Sequence, residues 1–207
     1  MQTRVNMNPN RSAMDLSLED EGTIMVKKGE SKQRNQEMKP LEQCEDPIEV
    51  LMKDHDEGLK HLALMKNAVN SIRQTGFSAE AFRQIAEAIQ FIDVEIRQHN
   101  ELEEKVLFPL IERHGLSPSY AMRHEHREMW SAFNRLLKHV RDIEEGRLHG
   151  TSIVEFIKAS EFIIDMLGNH IAEENTVLFP MIRKVLTAGE YQQLAREILR
   201  ATARPAS

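Results

Sequence analysis

From Asp46 onward the apolar positions recur every three or four residues, the spacing that keeps side chains on one face of an α-helix. Asp46-Pro47 supplies an N-cap followed by proline at the first helical position. Ile48, Leu51, His55, Leu59, Leu62, Val69 and Ile72 then mark the inward stripe of a first helix that Gly76 ends. Ser78 is placed to cap a long second helix, whose stripe runs through Phe82, Ile85, Ile89, Ile92, Ile96, His99, Glu103, Val106 and Leu110 before Gly115. Ser117-Pro118 repeats the cap-and-proline start, and Met122, His126, Trp130, Phe133, Leu137, Val140 and Ile143 predict a third helix ending at Gly146. A fourth helix is expected after Thr151, with Phe156, Ile163, Leu167, His170, Glu174, Val177 and Met181 on one face. A short fifth would present Tyr191, Leu194 and Ile198. Long amphipathic helices on short connections pack as antiparallel neighbours. The expected fold class is therefore all-α, an up-down-up-down four-helix bundle over residues 46–186, with a short C-terminal helix and tail over 187–207.

Residues 1–45 lack this period. They are polar, with too little apolar surface to offset the entropy of ordering, and are expected to form a mobile N-terminal arm. Ile24 and Val26, between Gly22 and Gly29, suggest a short strand or a patch that docks on the bundle.

The bundle is written twice. Adding 71 to a residue number in the first hairpin finds its counterpart in the second: His55 and His126, His99 and His170, Glu103 and Glu174, Pro109 and Pro180. Leu51 meets Met122, Leu62 meets Phe133, Val69 meets Val140, Ile72 meets Ile143 and Ile92 meets Ile163, with no insertion. Each hairpin carries one histidine early in its first helix and a His-x-x-x-Glu turn late in its second, and the two are 44 residues apart in both copies. This register selects His126 over His124, because residues two apart on a helix lie roughly 200° from each other around the axis. The same angular argument leaves His61 outside the stripe of His55.

The selected groups fall at nearly one level. At about 1.5 Å per residue, His55 and His126 lie roughly 12 Å from one end of the bundle and Glu103 and Glu174 roughly 17 Å, with His99 and His170 one turn deeper. A lone His-x-x-x-Glu turn is usually a surface pair of a few tenths of a kcal/mol. Two copies on the apolar stripe are different, since burying two carboxylates and four imidazoles without partners costs several kcal/mol per group. Cations are the economical partner. Four imidazole nitrogens and two carboxylates suit a borderline divalent metal, and two carboxylates able to bridge suggest a pair of ions.

Composition narrows the functions further. A formal charge of -6 without a Lys/Arg cluster argues against nucleic-acid binding. Cys44 is the only cysteine, so no internal disulfide can form. No apolar run approaches the roughly 20 residues that span a bilayer, and the N-terminus lacks the apolar core of a signal peptide, so a cytoplasmic protein without membrane partners is expected.

At "HNELEEKVLFP" (99–109) and "HIAEENTVLFP" (170–180), with His55 and His126 in register, the chain resembles the hemerythrin-like, or HHE cation-binding, family over about residues 46–186. The resemblance implies a bundle around two iron ions, a non-haem, oxo- or hydroxo-bridged di-iron centre. His55, His99, His126 and His170 would be its terminal ligands, and Glu103 and Glu174 its bridges. It differs from the oxygen-carrying hemerythrins, which place a second histidine four residues from the first on the third helix and end in His-x-x-x-x-Asp. Here Met122 and Trp130 flank His126, and His170-x-x-x-Glu174 closes the last motif. One nitrogen donor fewer leaves coordination open to solvent, a small ligand, or a side chain such as Glu101, Glu125 or Glu173.

The resemblance thus implies a protein that binds or senses dioxygen or nitric oxide, or buffers iron. Its alternative is a redox enzyme that reduces peroxide or repairs damaged iron centres. Family repair proteins carry an added N-terminal domain with paired cysteines, whereas this chain has Cys44 alone, which lowers the repair reading. Ferritin-like storage is disfavoured because those bundles use Glu-x-x-His with more carboxylates. Pro109 and Pro180 either bend the helix, freeing carbonyls near Lys105 and Thr176, or simply end it.

Overall fold

The first helix begins where its punctuation predicts. In the computed structural model, which describes residues 46–147 and 150–202, Asp46 Oδ1 accepts a hydrogen bond from the Ile48 amide at 2.9 Å and Pro47 opens α1 (Pro47–Thr75). Gly76 ends it at φ 86°, a left-handed value that glycine adopts without a Cβ penalty. The arm expected over 1–45, with Ile24 and Val26, lies outside the described residues.

Ser78 caps the second helix, its Oγ accepting from the Ala81 amide at 3.1 Å. This helix, α2, runs through Ala79–Phe91, a π-helical turn at Ile92–Ile96, Arg97–Leu102, a second π-helical turn at Glu103–Leu107, and Phe108–Glu112. Helix α3 spans Pro118–Glu144. Helix α4 runs from Gly150–Glu173 through a π-helical turn at Glu174–Leu178 into Phe179–Val185, and α5 covers Ala188–Thr202. Among the described residues there are five helices and no strand, the all-α bundle expected. Helix α1 packs on α2 and α4, and α3 packs on α4. No helix of the described residues is long and apolar enough to cross a membrane.

The buried side chains form two apolar clusters. One gathers Leu62, Met65, Ile85, Ile92, Phe133, Phe156 and Ile163 with their neighbours. The other gathers Ile48, Leu51, Phe108, Met122 and Phe179 under Leu194 and Ile198 of α5. Burying each such side chain contributes about 1.5–3 kcal/mol. Tyr191 of α5 donates its hydroxyl to Asp46 at 2.5 Å, tying the closing helix to the start of α1. Between the clusters, at His55, His99, Glu103, His126, His170 and Glu174, the interior turns polar.

Several details differ from the pattern-based expectation. Helix α4 starts at Gly150, before Thr151. Ser117 does not cap α3, because its backbone is already helical at φ -90° and ψ -9°; its carbonyl instead accepts from the Tyr120 amide at 3.1 Å. Leu59 and Val177 are exposed, while Met129 and Leu136 are fully buried beside the half-buried Trp130 and Leu137. The inward face of α3 lies about one residue to the side of the stripe that spacing predicts. At Val177 the cause is the π turn, which adds a residue to the helical turn and carries Leu178 inward in its place.

Neither proline ends its helix. Each follows a π turn in which the phenylalanine amide bonds five residues back, Phe108 to Glu103 and Phe179 to Glu174. A proline ring crowds the carbonyl four residues before it and offers no amide hydrogen. The helix accommodates both constraints by widening rather than tightening.

Candidate metal centre

The four histidines and two glutamates reach the interior because each sits on the inward stripe of its own helix: His55 on α1, His99 and Glu103 on α2, His126 on α3, His170 and Glu174 on α4. All six are buried, the two glutamates completely. The π turns begin at the glutamates themselves, one turn after His99 and His170. The Leu-Phe-Pro segment then places a phenylalanine against the histidine of the opposite hairpin. Phe108 stacks on His126 at 5.7 Å and Phe179 on His55 at 5.2 Å between ring centroids.

The imidazoles meet in two pairs. His55 Nε2 lies 2.9 Å from His99 Nε2, and His126 Nε2 lies 3.0 Å from His170 Nε2. Each glutamate spans both pairs. Glu103 sets one oxygen 3.5 Å from His99 Nε2 and the other 3.7 Å from His126 Nε2. Glu174 sets its oxygens 3.2 Å from His55 Nε2 and 3.2 Å from His170 Nε2. Two overlapping donor groups result, His55, His99, Glu103 and Glu174 in one, and Glu103, His126, His170 and Glu174 in the other.

Every outer nitrogen has an acceptor oxygen. His55 Nδ1 faces Asn175 Oδ1 at 2.8 Å, His99 Nδ1 faces Asp54 Oδ2 at 3.1 Å, His126 Nδ1 faces Glu104 Oε1 at 2.8 Å, and His170 Nδ1 faces Glu125 Oε2 at 2.9 Å. Because these oxygens only accept, the geometry assigns a hydrogen to each Nδ1 and turns each Nε2 inward, where it offers a lone pair whenever the ring is neutral. This is the arrangement by which outer partners fix metal-binding histidines.

None of the four carboxylate oxygens of Glu103 and Glu174 receives a hydrogen bond. Four inward imidazole nitrogens and four unbonded carboxylate oxygens in a dry interior repel one another unless positive charge, as protons or as metal ions, sits among them. The residues therefore fit a cation-binding role.

The electrostatics of the metal-free cluster point the same way. Burial lowers the proton affinity of His99, but the charge of Glu103 and the bond to Asp54 outweigh it and raise its pKa to about 10. Burial likewise opposes His170, while Glu174 and Glu125 raise it to about 9. Glu103 is pushed up by burial and by the charge of Glu174. Burial also works against Glu174, but His170 and His55 beside it hold it well below the ordinary carboxylate range. Burial and the neighbouring His170 depress His126. Protons thus occupy the place of cations in the metal-free cluster.

The other candidates fall outside. Glu125 serves as the acceptor for His170, Glu101 pairs with Lys105 at the surface at 2.6 Å, and Glu173 is exposed. His124 is exposed, and His61 stacks on Phe91 on the outside of α1 with 3.8 Å between ring centroids. Sequence reasoning missed Asp54, Glu104 and Asn175 as outer partners. The signal was present, since each acceptor is the chain neighbour of an inward residue: Asp54 precedes His55, Glu125 precedes His126, Glu104 follows Glu103 and Asn175 follows Glu174.

A curated relative, the iron-sulfur cluster repair protein YtfE of Edwardsiella ictaluri (strain 93-146), is 27% identical over 184 residues, which cover 82% of this chain and 78% of that protein. The buried donor groups and this similarity together support iron binding. The family model of the hemerythrin HHE cation binding domain matches residues 46–182, so the chain belongs to the hemerythrin HHE cation-binding family.

Proposed function

We propose that His55, His99, Glu103, His126, His170 and Glu174 hold two iron ions, with Glu103 and Glu174 shared between them, in a centre that binds a small ligand, dioxygen or nitric oxide. The observation that carries this reading is that each glutamate faces one histidine of each pair, the disposition of a bridging carboxylate. Iron, when bound, supplies ligand coordination and one-electron chemistry. The protein supplies the rest. Asp54, Glu104, Glu125 and Asn175 hold the four rings in one tautomer, and the apolar clusters on either side exclude bulk water. Four protein donors for each ion leave coordination free for a diatomic molecule.

A second reading is that the centre works as a redox enzyme, repairing damaged iron centres or reducing peroxide. The similarity to a protein named for iron-sulfur cluster repair, extending over 82% of this chain, favours it. The two readings separate in one set of experiments on protein reconstituted anaerobically with ferrous iron. A visible spectrum that changes with dioxygen or nitric oxide and returns after removal of the gas supports binding. Turnover of peroxide, or restoration of a damaged iron-sulfur protein, supports catalysis. Glu174→Ala is expected to abolish metal content and spectral response, and His99→Ala to lose at least the ion held at His55 and His99; full metal content in either variant overturns the ligand assignment.

A further inference from the structure

The repeat extends one step beyond the inward residues, and there it breaks. Asp54 corresponds to Glu125, a carboxylate for a carboxylate, but Glu104 corresponds to Asn175, a carboxylate for an amide. The hydrogen bond survives the exchange, at 2.8 Å from His126 Nδ1 to Glu104 and 2.8 Å from His55 Nδ1 to Asn175. What changes is charge. Behind the pair His126 and His170 stand two carboxylates, Glu104 and Glu125; behind His55 and His99 stand one carboxylate, Asp54, and the neutral Asn175.

Arg123 moderates the difference without removing it. Its Nη1 lies 3.6 Å from the far oxygen of Glu104, but its Nε also lies 3.4 Å from Glu112, so one guanidinium is divided between two carboxylates. The Glu104 oxygen nearest the imidazole remains the closest charge to His126. The inward donors introduce no compensating bias, because Glu174 approaches His55 and His170 equally and Glu103 differs by only 0.2 Å between His99 (3.5 Å) and His126 (3.7 Å).

We propose that the two cation positions are inequivalent: the one at His126 and His170 binds more tightly and fills first, the one at His55 and His99 is the weaker, and Glu104 and Asn175 are the positioning residues that set the order. The inference rests on the two-cation reading above. An anion behind an imidazole strengthens the ring as a donor toward a cation in front of it, while an amide holds the ring without adding that charge. Because Glu103 and Glu174 serve both positions, the outer pair Glu104 and Asn175 is where the two positions part.

The test is an anaerobic titration of full-length protein with ferrous iron, joined to crystals grown with one equivalent of iron and examined by anomalous scattering. Wild-type protein is expected to take up two ions in two steps, with the single-equivalent density at His126 and His170. Glu104→Gln keeps an acceptor for Nδ1 and removes the charge, and it should weaken the tighter step about tenfold. Asn175→Asp adds a charge and should tighten the weaker step by a similar factor. A purely structural role would leave both steps unmoved by these near-isosteric changes. Two ions taken up in a single step with equal density at both positions would overturn the inference while leaving the two-cation reading intact, as would unchanged steps in both variants. Fewer than two ions in wild-type protein would overturn that reading itself. Should Glu104→Gln fail to fold, Asn175→Asp alone decides.

Discussion

His99 in the first hairpin and His170 in the second occupy equivalent turns 71 residues apart, and each directs its Nδ1 at the carboxylate that precedes the partner histidine of its own hairpin, Asp54 or Glu125. Around these matched cores the hairpins diverge. The first has a π turn at Ile92–Ile96, where the second continues as regular α-helix through the counterpart Ile163 and Leu167. Glu104 corresponds to Asn175 in the repeat, and Arg123 to Met52. The duplication keeps the direction of every inward donor and the hydrogen bond behind every ring, and it releases the charge around them. Geometry at the centre is thus shared between the halves, while electrostatics are not.

The largest expected effect comes from the residues that the two halves hold in common. Glu103→Ala and Glu174→Ala each remove a donor from both groups, so each variant should lose both ions. His55→Ala removes a donor from one group only and should lose chiefly the ion at His55 and His99. Metal analysis after equilibrium dialysis checks this. Equal losses in all three variants would mean that the carboxylates are not shared.

A second test compares the metal-free and iron-loaded protein across pH. His170 and His99 have folded-state pKa values of about 9 and about 10, above the ordinary 6.5. A group raised in the folded state contributes stability that is fully present below its unfolded pKa and is lost as pH rises through the folded value. The melting temperature of the metal-free protein should therefore fall as pH rises from 7 through 10, while bound iron, replacing the protons, should flatten the profile. Parallel curves for the two forms would show that protons and cations do not compete for one place.

The smallest contrast lies at two helix starts with the same residue type. Ser78 bonds the Ala81 amide and Ser117 makes no side-chain cap, so Ser78→Ala should cost about 1 kcal/mol in chemical denaturation and Ser117→Ala close to nothing.

The bundle and the six inward residues were legible in the sequence because two periodicities agree there: the helical period puts His55, His99, His126 and His170 on apolar stripes, and the 71-residue repeat discards His124. The outer partners were harder to read. Asp54 and Glu104 are marked in the chain by lying beside inward residues, but they serve histidines 45 and 22 residues away, a pairing that only the packed helices define. The π turns were hidden for a related reason. Pro109 and Pro180 announce a disturbed helix, but whether it ends, bends or widens depends on burying Leu107 and Leu178, which only the packed bundle decides. Leu59 and Val177 show that an apolar stripe read by spacing has an uncertain edge, about one residue wide.

The most direct measurement of the central claim is the number of ferrous ions that wild-type protein retains per chain at anaerobic equilibrium. The account predicts two, both lost when Glu174 is replaced. One ion per chain, or two that survive that replacement, would contradict it.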